Sequence, residues 1–224
     1  TKSMKNFVIT IARGFGSGGR QIAAKLADEL HIHSYNNRIL TLAAQYSGYD
    51  EHYFKEADEN LHGSLITKQL LELPKMFHTK GHLSTFVSDD RLFEFQKQII
   101  EKLAESESCV IVGKCADYIL KDYDNVFSVY VEAPRAYCLQ RVMDRMYDIT
   151  LEEADELITK TDKYRADYYK YYTHGNYWTN PVNYDITLNN SRLGDEKSVQ
   201  MIIQCMRVKF GEEWYQEYMD SIKE

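Results

Sequence analysis

The chain has 224 residues, 44% of them hydrophobic and 27% charged, with a formal net charge of −7. That balance suits a globular chain long enough to bury a sizeable core, and it excludes a disordered or fibrous one. The acid excess argues against a nucleic-acid or anionic-membrane binder, and no apolar run reaches the roughly 20 residues needed to cross a bilayer.

Phe7 to Ala12 (FVITIA) is an apolar, β-branched run that predicts a strand, bounded by four glycines, Gly14, Gly16, Gly18 and Gly19. From Arg20 to Leu30 the apolar residues Ile22, Ala23, Leu26, Ala27 and Leu30 follow helical spacing. Ile32 to Tyr35 predicts a brief second strand. Residues 37–95 read as interrupted helix, with stripes at Ile39–Tyr46 and Leu65–Leu73 and a loop at Thr79–Ser84. A long helix is expected over Asp89–Glu107. Cys109–Val112 and Val126–Val131 read as buried parallel strands separated by a helix-length segment. A helical, tyrosine-rich stretch at Leu151–Tyr172 precedes a strand at Tyr184–Leu188 and a closing helix at Glu196–Phe210. Strands alternating with helices predict an α/β protein, a parallel sheet covered on both faces, in a single domain without repeats. Cys109, Cys115, Cys138 and Cys205 form neither C-x-x-C nor a zinc-like spacing, and no signal-peptide core precedes the first strand. A reduced, cytoplasmic protein with no metal cluster of its own is expected.

The segment Gly14-Phe15-Gly16-Ser17-Gly18-Gly19-Arg20-Gln21 fits two templates. Gly14, Gly16 and Gly19 satisfy the dinucleotide fingerprint G-x-G-x-x-G; Gly14 and Gly19 also satisfy the G-x-x-x-x-G of a phosphate loop, with Arg20 and Gln21 replacing Lys and Ser/Thr. Both templates bring backbone N–H groups and a helix N-terminus to an anion. A dinucleotide fold wants an acid after the second strand, where His33 to Arg38 (HSYNNR) has none, although Arg38 suits an NADP phosphate. A cation directly after the loop favours mononucleotide phosphates. Ser17 is an alternative oxygen donor for Mg²⁺, since an amide at Gln21 is a poor one.

Four segments together resemble the cytidylate kinase-like family of P-loop nucleoside monophosphate kinases. They are FVITIARGFGSGGRQIAAKLADEL, HSYNNRILTLAAQYSGYDE, CVIVGKCADYIL, and the run from TDKYRADYY to YDITLNNSRLG. Relatives carry an acid at the position of Asn36 and commonly Gly-Arg where this chain has Gly113-Lys114. The resemblance implies a three-layer P-loop kinase fold on a five-stranded parallel sheet. A helical acceptor-binding insertion is expected near residues 36–96 and a lid near 141–180. It implies transfer of the γ-phosphoryl group of ATP, with Mg²⁺, to a pyrimidine monophosphate such as CMP or dCMP. Gly14, Gly16, Ser17, Gly18, Gly19, Arg20 and Gln21 would hold the donor; Lys114, Asp117 and Arg38 would face the acceptor; Arg20, Arg141 and Arg165 would serve the transfer, with Arg145 and Lys163 nearby. Partners are small nucleotides, with a homo-oligomer as a further expectation. Asp162 and Asp167 suit orienting these arginines as well as they suit chemistry, and Tyr164, Tyr168, Tyr169, Tyr171 and Tyr172 are expected to pack rather than stack on a base. Two other readings stay open: a nucleotide-binding module with little catalysis, and an NADP-dependent oxidoreductase.

Overall fold

In the computed structural model, residues 6–36 and 89–223 are described. The readings on 37–88, including Arg38 and most of the expected insertion, lie outside the described residues.

The central strand β1 spans Val8–Arg13 and is buried along its whole length. Its odd residues Ile9 and Ile11 pack under helix α1 (Gly19–Glu29), while Val8 faces the opposite layer. Each fully buried isoleucine contributes roughly 1.5–3 kcal/mol. After α1 comes β2 (His33–Tyr35), then helix α2 (Asp89–Ser106), β3 (Cys109–Val112) and a four-residue helix α3 (Ala116–Ile119). Strand β4 (Val126–Glu132) leads into α4 (Arg135–Arg145) and the long α5 (Leu151–Tyr172). A 3-10 turn at Pro181–Asn183 precedes β5 (Ile186–Asn189), α6 (Asn190–Phe210) and α7 (Glu212–Ser221).

Among the described residues the five strands form one sheet in the order β2-β3-β1-β4-β5, and every pairing is parallel. α2 and α3 cover one face around Phe95, Ile99, Ile100 and Leu103; α1, α6 and α7 cover the other around Ile22, Leu26, Ile202 and Ile203. This is the three-layer α/β architecture the alternation predicts. α4 and α5 form a hairpin beyond the strand ends, closed on Cys138, Val142, Ala154 and Ile158. A capping box fixes the start of α5: Glu153 N–H donates to Thr150 Oγ1 at 3.2 Å, and Thr150 N–H donates to Glu153 Oε2 at 2.8 Å.

Three expectations change in detail. The segment between β3 and β4 holds one turn of helix, because Gly113, Lys114 and Cys115 all adopt positive φ (78°, 58° and 58°) and delay its start. The last long helix starts at Asn190, capped by the Asn189 side chain, and kinks at Gly194 (φ 77°, ψ 163°) rather than starting at Glu196. α7 has no counterpart in the sequence reading; it presents Trp214 and Tyr218 edge-on to Phe7, with ring centroids 5.1 and 4.9 Å away.

Candidate functional site

The chain leaves β1 toward β2 on one side of the sheet and leaves β4 toward β5 on the other, so the crevice beyond β1 and β4 is a topological switch point. The glycine loop opens there. Gly14 N–H donates to Val131 O of β4 (3.0 Å), Ser17 N–H donates to Gly14 O (3.2 Å), and α1 begins at Gly19 behind a left-handed Gly18 (φ 100°). No side chain caps the first turn of α1 and no acid occupies it, so its positive end is left for an anion.

Each loop glycine meets a different part of the protein. A Cβ at Gly14 would stand 2.5 Å from Glu132 Oε1, at Gly16 2.8 Å from Cys138 O, at Gly18 2.4 Å from Asn190 Nδ2, and at Gly19 2.5 Å from Arg13 Cβ. The four glycines are therefore needed for close packing of β1, β4, α4 and α6 around the loop, as well as for its turns. Asn190 is the hub: its Nδ2 donates to Ser17 O (2.9 Å) and Asp195 Oδ1 (2.7 Å), and its Oδ1 accepts from Ser198 Oγ (2.8 Å).

Arginines from four elements gather at this loop. Arg141 of α4 donates to both oxygens of Asp195 (3.3 and 3.2 Å), to Tyr137 Oη (2.9 Å) and to Gln21 Oε1 (3.4 Å). Its Nε is buried without a hydrogen-bond partner among the described residues. Arg165 of α5 donates to Arg13 O (3.0 Å), stands 3.7 Å from Asp162 and lies over the Phe15 ring at 5.5 Å. Asp162 in turn accepts from Phe15 N–H (2.8 Å), so α5 grips the loop at two points. Arg20, exposed on the first turn of α1, is close enough to lower the pKa of Arg13, Arg145 and Arg165 by charge repulsion, behind the larger effect of burial. Arg20, Arg141 and Arg165, far apart in sequence, thus share one site.

Across the cleft, Gly113, Lys114 and Cys115 make a left-handed turn at the end of β3. Left-handed backbone costs an ordinary residue roughly 1–2 kcal/mol. Strain of that kind gathers at functional sites, and here it aims Lys114 into a cleft shared with Arg13, Arg165, Asp117, Tyr168 and Trp178. Lys114 Nζ lies 5.0 Å over the Tyr168 ring. Asp117 is buried and accepts from Tyr169 Oη at 2.7 Å, tying α3 to α5; burial pushes its pKa up to about 6, against the pull of that hydrogen bond and of backbone N–H groups.

Several expected roles shift. Ser17 is fully buried and its Oγ donates to Gly14 O at 2.7 Å, so it braces the loop instead of offering an oxygen to a metal. Lys163 pairs with Asp167 (2.8 Å) on the exposed face of α5, away from the arginines, while Asp162 does orient Arg165. Tyr168 and Tyr172 pack with Phe93, which stacks on Tyr172 at 3.9 Å, and Tyr169 is buried, whereas Tyr164 and Tyr171 are exposed and do not fit the expected packing. Arg13 was missed by the sequence reading. It is 7% exposed at the strand end, and its only sequence signal is a charge breaking an apolar run next to the glycines.

The donor set suits an anion better than a resident metal. Two buried guanidinium Nε groups, on Arg13 and Arg141, lack partners among the described residues, as a phosphate-binding site without its phosphate would leave them. By contrast Ser17 Oγ and Gln21 Oε1 are engaged within the protein, Asp195 accepts from Arg141 and Asn190, and no cluster of three metal-ligating residues occurs among the described residues. These side chains do not form a resident Mg²⁺ site. No described helix is long and apolar enough to cross a membrane.

Among solved structures, an uncharacterized protein from Eubacterium ventriosum ATCC 27560 superposes with a TM-score of 0.66 at 26% identity, covering 89% of this chain and 97% of that one. Shikimate kinase from Bacteroides thetaiotaomicron is a looser likeness, with a TM-score of 0.47 at 13% identity over 90% of this chain and 96% of that one. No curated protein matches the chain. The sequence does match the cytidylate kinase-like family over residues 8–192. That span carries the glycine loop, the left-handed turn at Lys114 and every arginine around them, and the chain belongs to the cytidylate kinase-like family.

Proposed function

We propose that the protein is a nucleoside monophosphate kinase-like phosphotransferase that moves the γ-phosphoryl group of ATP to a pyrimidine monophosphate of the CMP or dCMP kind. The observation that carries this reading is the meeting of Arg20, Arg141 and Arg165, from three separate helices, at an uncapped helix N-terminus on the switch point of a parallel sheet. Phosphoryl transfer asks a protein mainly for position and for fixed positive charge around oxygens that are already charged. Gly14, Gly16, Ser17, Gly18, Gly19 and Gln21 shape the donor loop, and Arg20 contacts the outer phosphates. Arg141, held flat by Asp195, and Arg165, held by Asp162, flank the group in transit. Lys114 meets the acceptor phosphate, and Asp117 positions that side through Tyr169. Residues 141–180 act as the lid and 36–96 as the acceptor-binding insertion, with Arg38 within it. Mg²⁺ would come with the nucleotide and supply positive charge to its phosphates, and none of these residue roles depends on it.

A binding module with little catalysis is the second reading, favoured by the loop hydroxyl of Ser17 being turned inward. The oxidoreductase reading loses support from the strand order. A dinucleotide fold sets its second strand beside the first, whereas here β2 pairs with β3 and lies at the sheet edge.

Calorimetric titration separates the two ATP-binding readings from the oxidoreductase. ATP should bind, NADPH should not, and Arg20→Ala should weaken ATP about tenfold or more, the loss of one charge-assisted contact. Unchanged ATP binding in Arg20→Ala removes Arg20 from the site. NADPH binding without ATP binding supports the oxidoreductase instead.

A further inference from the structure

Arg13 ends β1, and its stem crosses the start of α1. A Cβ at Gly19 would stand 2.5 Å from Arg13 Cβ and 2.8 Å from Arg13 Cγ. No side chain can therefore leave the first residue of α1, and the space it would take belongs to Arg13. The residue is 7% exposed, yet among the described residues its Nε has no hydrogen-bond partner and no carboxylate lies within ion-pair distance. Its nearest charged neighbours include Arg165 and Arg20, both of the same sign, with Asp162 as the opposing charge. Burial, then Arg165 and Arg20, pull its pKa down to about 9, which leaves it charged at neutral pH.

A buried cation without a partner is costly, and folds keep one where something from outside supplies the counter-charge. Arg13 lines the cleft together with Gly113, Lys114 and Arg165, between the glycine loop and the opposite strand end. We propose that Arg13 is a substrate-contacting cation of this site, gripping the phosphoryl oxygens between the glycine loop and Lys114. The strand before the loop thus adds a second cation to the one that Arg20 supplies from the helix start. The inference rests on the kinase reading, and it adds a residue that the reading's own template leaves out.

The test compares wild type, Arg13→Met and Arg13→Lys by thermal unfolding and calorimetry, with inorganic tripolyphosphate and ATP as probes. Methionine keeps a flexible stem over Gly19 and removes the charge; lysine keeps the charge and loses the fork. Without ligand, Arg13→Met should unfold at the same temperature as wild type or higher. Its tripolyphosphate affinity should fall about thirty-fold or more, with the thermal shift abolished, and Arg13→Lys should fall between the two. Wild-type affinity in Arg13→Met overturns the proposal. So does a ligand-free Arg13→Met that is less stable than wild type or fails to fold, because Arg13 would then be structural. If wild type binds neither probe, the kinase reading itself fails; if wild type binds and Arg13→Met binds equally, only this inference does.

Discussion

Asp117 shows how one residue can look functional in the sequence and act structurally as well. It sits at the first turn of a helix after a strand end, where a carboxylate suits both a ligand and the helix dipole. Its burial makes the ionised form expensive, outweighing the Tyr169 hydrogen bond that favours that form, and its pKa rises from 3.8 to about 6. The folded state thus binds a proton more tightly than the unfolded chain. The contribution is fully present below about pH 4 and is lost as pH rises through 6. We expect the stability gap between wild type and Asp117→Asn to move in the variant's favour by on the order of 3 kcal/mol from pH 4 to pH 7. Denaturant melts at the two pH values measure it, and a gap that does not move means Asp117 is not desolvated as described. At this same scale the sequence was only partly legible. Arg20 stands out because it follows the glycines directly. Arg13 does not, since nothing in a strand-end arginine tells that its side chain will be buried without a partner. Ser17 misleads, because a serine in a glycine loop gives no sign of which way its hydroxyl turns.

Periodicity resolves most of the elements. α1, α2 and α5 lie within about a residue of their expected ends, and β1, β3 and β4 fall on the apolar runs that predict them. What it misses has physical causes. Three consecutive left-handed residues at Gly113–Cys115 include two that are not glycine, so no propensity marks them. The Gly194 kink joins two helical pieces around a residue that ordinarily ends one. α7 carries its aromatic face against Phe7, more than two hundred residues earlier in the chain, and only the folded sheet brings the two together. The loop's stiffness also comes from a distant element. Asn190, at the start of α6, spans Ser17, Asp195 and Ser198 and is fully buried. Asn190→Leu would leave Ser17 O and Ser198 Oγ without these partners, costing about 2–4 kcal/mol. The added bulk beside Gly18 should also weaken ATP more than any loss of global stability explains. Chemical denaturation with parallel ATP titration reads both effects, and a variant that melts early yet binds ATP normally would detach Asn190 from the loop.

At the scale of the molecule, a net charge of −7 and a ring of arginines are compatible because the acids are placed with purpose. Asp195 and Asp162 each hold one arginine, while Arg13 and Arg20 meet no carboxylate at ion-pair distance among the described residues. The surplus positive charge is therefore local, at the strand ends, a setting that suits the small anion of the proposed reaction. The sheet order gives that charge its setting, with the loop at the switch point and the left-handed Lys114 turn facing it from β3. Composition alone could not locate this cluster, whose members are spread from position 13 to position 165. The measurement that bears most directly on the whole account is transfer of label from γ-labelled ATP in the presence of Mg²⁺ and single nucleoside monophosphates. Label should appear in the diphosphate product, most strongly with CMP or dCMP, and should be lost in Arg165→Ala. Bound ATP whose label reaches no nucleoside monophosphate would contradict it and leave a nucleotide-binding module.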